Sequence, residues 1–125
     1  MKLPTTRILN LAKRLSEKSD HPKFKLGCVI FKKNNVVSVG FNKMKTHPRS
    51  PHHWKMIHAE FHALLGVSPS DLLGSSVFVY RENHKSGNVG LAKPCKVCEK
   101  MLHDVGIKEV YYTTSTGIER ESYNN

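Results

Sequence analysis

No apolar run inside a strand-like stretch of this sequence exceeds that of Cys28 to Phe31, against the roughly 20 residues that a membrane-crossing helix needs. No membrane association is expected. The opening MKLPTTRILNLAKRL is charged throughout and lacks an apolar segment followed by a small-residue cleavage site, so no secretory signal is read and a cytoplasmic location is expected. Cysteine is scarce and odd in number, three in 125 residues. That argues against a disulfide framework and leaves the thiols for metal binding or nucleophilic use. Acidic residues are nearly missing from the first half. Residues 1–55 hold 13 Lys and Arg against only Glu17 and Asp20, whereas residues 56–125 hold 7 basic and 8 acidic side chains. The net charge of +10 fits a polyanionic or phosphorylated partner, although surface lysines serve solubility equally well. Tryptophan occurs once, as Trp54, and there are no internal repeats or low-complexity tracts. The whole chain, 1–125, is read as a single domain around one core.

Thr5 or Thr6 can cap a helix with Ile8, Leu11, Ala12 and Leu15 at helical spacing, ending near Ser19. The stretch KLGCVIFKKNNVVSVGFN predicts an antiparallel hairpin, Leu26 to Phe31 and Val36 to Phe41, turning at Lys33, Asn34 and Asn35. Residues 43–56 contain Pro48 and Pro51 and have no period, which marks a long loop of the kind that carries function. A second helix opens at Ile57 and stops at Gly66. SSVFVYR reads as a strand buried on both faces. Pro94 sits at the start of a helix running through CKVCEKMLHDVG, and IKEVYYTT is a last strand. The polar tail STGIERESYNN is left without an element. This order fits one mixed sheet with helices on both faces.

Cys95 and Cys98 lie three positions apart in the first turn of that later helix, so both sulfurs can converge on one point. A closed structural zinc site needs two further ligands at recognisable spacing, and the chain has no second cysteine pair. His58, opening the preceding helix, can complete a set of one nitrogen and two sulfurs. Three protein ligands leave zinc a position for water, the pattern of a catalytic ion. Glu60 shares the first turn with His58 and could accept a proton from that water.

With HAE at residues 58–60 and PCKVC at 94–98, the sequence resembles the zinc-dependent cytidine deaminase superfamily, and within it most the cytidine and deoxycytidylate (CMP/dCMP) deaminase group. The hairpin and the strands around the second motif extend that likeness over roughly residues 5–114. The resemblance implies a cytidine deaminase-like three-layer α/β/α sandwich, with one mixed sheet of four to five strands and an N-terminal antiparallel hairpin. It implies one catalytic zinc ion on His58, Cys95 and Cys98, with Glu60 as the general acid and base. Asn42 matches a position that contacts the nucleoside, and Ala59 one whose backbone lines the base pocket. His62 stands where deoxycytidylate deaminases would have asparagine. It is a candidate pocket residue, or with His58 half of an HxxxH pair. Cys28 reads as a small core residue.

Lys43, Lys45 and Arg49 in the long loop, with Arg81 and Lys85 after the third strand, are candidates for a phosphate clamp. His47, His52 and His53 are candidates for the second, structural zinc that some deoxycytidylate deaminases carry. The expected reaction is hydrolytic deamination of a cytosine nucleotide to the uracil nucleotide with release of ammonia. Two alternatives stand beside it. One is a deaminase of nucleic acid, acting on cytosine in single-stranded DNA or adenosine in tRNA, with the basic half following the backbone. The other is a catalytically silent zinc-containing nucleotide-binding module, against which the intact Glu60 counts. A homo-oligomer is a candidate assembly.

Overall fold

The computed structural model describes residues 3–51, 54–83 and 88–123. Helix α1, Thr6–Ser16, starts where Thr5 Oγ1 accepts the Ile8 N–H at 3.4 Å, and it ends at the cap residue Glu17, before the expected Ser19. Strands β1, Phe24–Lys32, and β2, Asn35–Phe41, form the predicted hairpin. Its loop is tighter than expected: Lys32 pairs with Asn35, so only Lys33 and Asn34 turn the chain. Lys33 takes the left-handed conformation, φ 56°, that such a short hairpin demands.

Helix α2 spans Ala59–Leu64 and is capped by His58, while Ile57 is instead engaged in a bridge to Lys43. The next segment holds a single helical turn, α3, Pro69–Leu72, too short to leave a periodic signal. Strand β3 is Ser76–Asn83, helix α4 is Lys96–Asp104 and strand β4 is Glu109–Thr114. Pro94 lies outside α4. Cys95 takes the cap position, its Sγ accepting from the Cys98 N–H at 3.5 Å. The tail without an expected element forms β5, Gly117–Ser122, antiparallel to β4.

The five strands lie in the order β2-β1-β3-β4-β5, with only the β3–β4 pair parallel, joined across α4. Alternation along β1 and β3 sorts the core into two layers. Val29, Phe31 and Phe78 face Ile8, Ala12 and Leu15 of α1. Cys28, Ile30, Val77 and Val79 face Ala59, Ala63 and Leu102 of α2 and α4. This is the sandwich expected from the sequence. Both faces need backbone-to-backbone approach at a glycine. A Cβ on Gly27 would overlap the Ala12 carbonyl oxygen of α1, and one on Gly40 would lie 2.5 Å from both the Ala59 oxygen and the Ala63 nitrogen of α2.

Gly40 is therefore the point at which the sheet sets the height of α2. Gly40→Ala pushes against helix backbone rather than a flexible side chain, and is expected to lower the unfolding free energy by about 3 kcal/mol. Urea denaturation measures this. A variant as stable as the parent would show that α2 is not seated on β2 in this way.

Candidate functional site

The starts of α2 and α4 come together at one edge of the sheet, and the two cap residues, His58 and Cys95, both leave the helix in extended conformation. The His58 Nδ1 lies 3.6 Å from Cys95 Sγ and 3.4 Å from Cys98 Sγ. All three ligand atoms fall within 4.8 Å of one another. Tetrahedral bonds of about 2.3 Å to sulfur and about 2.0 Å to nitrogen would separate N and S by about 3.5 Å. The spacing found thus fits a single zinc-sized ion, and the soft sulfur and imidazole donors fit zinc chemically. Among the described residues this is the one cluster of three or more such ligands.

An aromatic buttress fixes the imidazole. Trp54 stacks face to face on His58, with centroids 3.7 Å apart and planes at 7°, and Phe61 meets Trp54 edge-on at 5.8 Å. Cys98 is fully buried in the same apolar group as Trp54, Ile57 and Phe61. Burial pushes the Cys98 thiol well up, reinforced by the nearby Glu60 charge and by Cys95. A thiol so placed is deprotonated by a metal rather than by solvent.

Glu60 is 4 % exposed. Burial lifts its carboxyl to about 7, against the opposing pull of its own backbone N–H. It borders a cavity of about 200 Å³ that is also lined by His58, Ala59, Cys95, Asn42 and Arg81. The carboxyl, the ligand cluster and an opening large enough for a planar ring therefore meet at one place.

Other sequence candidates fall on either side of this boundary. Asn42 is on the cavity wall and fully buried, but its amide is already tied to β1: Oδ1 accepts the Leu26 N–H at 2.9 Å and Nδ2 donates to the Phe24 carbonyl at 2.9 Å. One Nδ2 hydrogen is left for a ligand. His62 turns away from the ligand cluster, so the HxxxH pair does not form. Its Nδ1 lies 3.0 Å from the Phe41 backbone nitrogen, from which it accepts as the neutral Nε2–H tautomer, and its ring meets Phe41 edge-on. A helix only six residues long, seated against β2, points that side chain at the strand. Lys43 holds its ammonium 5.0 Å over the Phe41 ring, while Lys45 and Arg49 are exposed, and none of the three lines the cavity. Cys28 packs in the core beneath the site. His47 rests edge-on against Phe61 and accepts the Arg49 N–H, whereas His52, His53 and Lys85 lie outside the described residues.

Sequence reasoning missed the cavity's other walls: Phe24, Leu26, Met56, Leu91, Ala92 and Lys93. The one available signal was position, since Ala92 and Lys93 immediately precede the PCKVC motif.

A mixed sheet carrying an imidazole and two thiols on converging helix starts, beside a buried carboxyl and a small cavity, defines an α/β protein with a metal centre open to a small molecule. The chain belongs to the cytidine and deoxycytidylate deaminase family: the family's "Cytidine and deoxycytidylate deaminase zinc-binding region" matches residues 4–114. Zinc is the cofactor of that region, and one ion suits the single His/Cys cluster among the described residues. A "Probable deoxycytidylate deaminase" of Caenorhabditis elegans is 30% identical over 119 residues, covering 85% of this chain and 55% of its own. The chain thus spans about half the length of that relative. The fold is shared with a cytidine deaminase from Burkholderia pseudomallei, at TM-score 0.66, 22% identity, and 95% and 93% of the two chains. It is also shared with a dCMP deaminase from the cyanophage S-TIM5 in complex with dCMP and dUMP, at TM-score 0.55, 20% identity, and 90% and 83% of the two chains. Among the described residues no helix is long and apolar enough to cross a membrane.

Proposed function

We propose that the protein is a zinc-dependent hydrolytic deaminase that converts the cytosine of a free nucleotide to uracil and releases ammonia. The observation that carries this is the buried Glu60 carboxyl bordering the same small cavity as His58 and Cys95. His58, Cys95 and Cys98 would hold the ion. When bound, zinc supplies the Lewis acidity that makes a water nucleophilic near neutral pH. Glu60 takes one proton from that water as the water oxygen adds to C4 and passes it to N3; it then takes the remaining proton of the new C4 hydroxyl and passes it to the amine, so that C4=O forms, the C4–N bond breaks and ammonia leaves. Ala59 and Asn42 flank the ring, with the Asn42 amide held in one orientation by its two bonds to β1. Phe24, Leu26, Met56 and Leu91 give the cavity apolar walls that displace bulk water.

Ammonia release from dCMP, deoxycytidine and a cytosine-containing oligonucleotide tests this reading, with the largest kcat/KM expected for dCMP. A rate confined to the oligonucleotide would favour the nucleic-acid alternative, which the 13 cations of residues 1–55 support. Absence of turnover with every cytosine and adenine substrate would leave the silent zinc module.

A further inference from the structure

We propose that Arg81 and Lys93 form a receptor for the phosphate monoester of the substrate at the cavity mouth, and that Glu121 on β5 is the positioning residue for Lys93. This rests on the deaminase reading above and replaces the loop cations, none of which lines the cavity, with two that do. Arg81 comes from β3 and Lys93 from the segment before α4, so the pair straddles two elements around one opening.

Each cation is held in place without being used up. The Arg81 guanidinium lies over the Phe24 ring at 4.1 Å and its Nη1 donates to the Leu91 carbonyl at 3.2 Å. No carboxylate forms an ion pair with it among the described residues. The bond to Leu91 uses one Nη1 hydrogen, so the remaining Nη hydrogens of the fork stay available, in the planar arrangement that matches a phosphate. Lys93 Nζ sits 3.3 Å from Glu121 Oε2, with both side chains substantially exposed. An ion pair of that kind contributes little to stability, so the tether orients the ammonium without competing strongly for it. A terminal phosphate with close to two negative charges and three acceptor oxygens can engage both cations, whereas a bare nucleoside offers neither of them an anion.

Calorimetry on the zinc-loaded protein with dUMP and deoxyuridine isolates the phosphate. The parent is expected to bind dUMP at least about tenfold more tightly than deoxyuridine, and Lys93→Gln and Arg81→Gln are each expected to weaken dUMP binding about tenfold while deoxyuridine binding persists. Glu121→Gln leaves both cations in place and should reduce the dUMP-to-deoxyuridine ratio by a smaller factor, which a merely structural role would not move. Equal losses for the two ligands, an unchanged ratio in the Lys93 and Arg81 variants, or no dUMP preference in the parent would overturn the proposal. So would a cytosine trinucleotide without terminal phosphates that binds as tightly as dUMP and loses affinity by the same factor. The two readings fail separately. A parent that prefers dUMP but releases no ammonia keeps the receptor and loses the deaminase, and a parent that deaminates both substrates with equal kcat/KM does the reverse.

Discussion

Glu60→Gln is expected to lower the rate of ammonia release by roughly 10²- to 10⁴-fold while the protein keeps its zinc and its melting temperature. The amide fills the same buried space beside Ala59 and His58, and no atom of the ligand cluster changes. What disappears is the group able to take a proton from water and return it to the ring and the amine. The pH profile separates this loss from a packing effect. Burial holds the carboxyl at about 7 in the absence of an ion, and a nearby dication favours its ionised form and draws that value down. The ionised form is the proton acceptor, so the parent's rate should fall as pH drops through the lowered value. That acid limb should vanish in the Gln variant. A variant retaining most of the parental rate would remove Glu60 from the chemistry.

The second large effect concerns Cys98. Removing a partner that only orients a metal ligand costs roughly 10- to 100-fold in affinity, and Cys98→Ala removes a proposed ligand itself. Zinc content after dialysis is expected to drop from about one per chain to a small fraction, with activity falling in step. The thiol is pushed up by burial first, then by Glu60 and Cys95, so it is protonated in the metal-free protein. Zinc binding must expel that proton. Parental zinc affinity should therefore rise with pH, and the pH dependence should weaken in the variant. Full zinc occupancy in Cys98→Ala, measured by atomic absorption, would mean that the ion sits elsewhere.

The convergence of His58, Cys95 and Cys98 and the place of Glu60 beside them could be read from the sequence because residue type and spacing within single helical turns carry them. His58 and Glu60 are two apart, Cys95 and Cys98 three apart, and capping geometry brings both pairs to helix starts. The hairpin and β3 were equally legible from their runs of β-branched and aromatic residues. β5 was not. As an edge strand it buries no residue fully: only Ile118 and Glu121 are half-buried, and the neighbouring Glu119 and Arg120 are both exposed, so it has no hydrophobic signature. Its place comes instead from ladder bonds to β4 and from the Arg120–Glu109 pair at 2.8 Å. The loop cations illustrate the complementary difficulty. Nothing in the one-dimensional order of Lys43, Lys45 and Arg49 reveals that the chain returns to pair Lys43 with Ile57 and carries these side chains past the cavity. Lys93 was hidden for the opposite reason, since a lysine before a proline looks like an ordinary solvated residue until β5 delivers Glu121 to it.

The Trp54 stack has a practical consequence. It places the chain's one indole in van der Waals contact with a proposed metal ligand, so indole emission, excited selectively over the four tyrosines, originates beside the proposed ion site. Ligation changes the electronic character of the imidazole beneath that fluorophore. Loading and stripping of the centre can thereby be followed optically on the unlabelled protein.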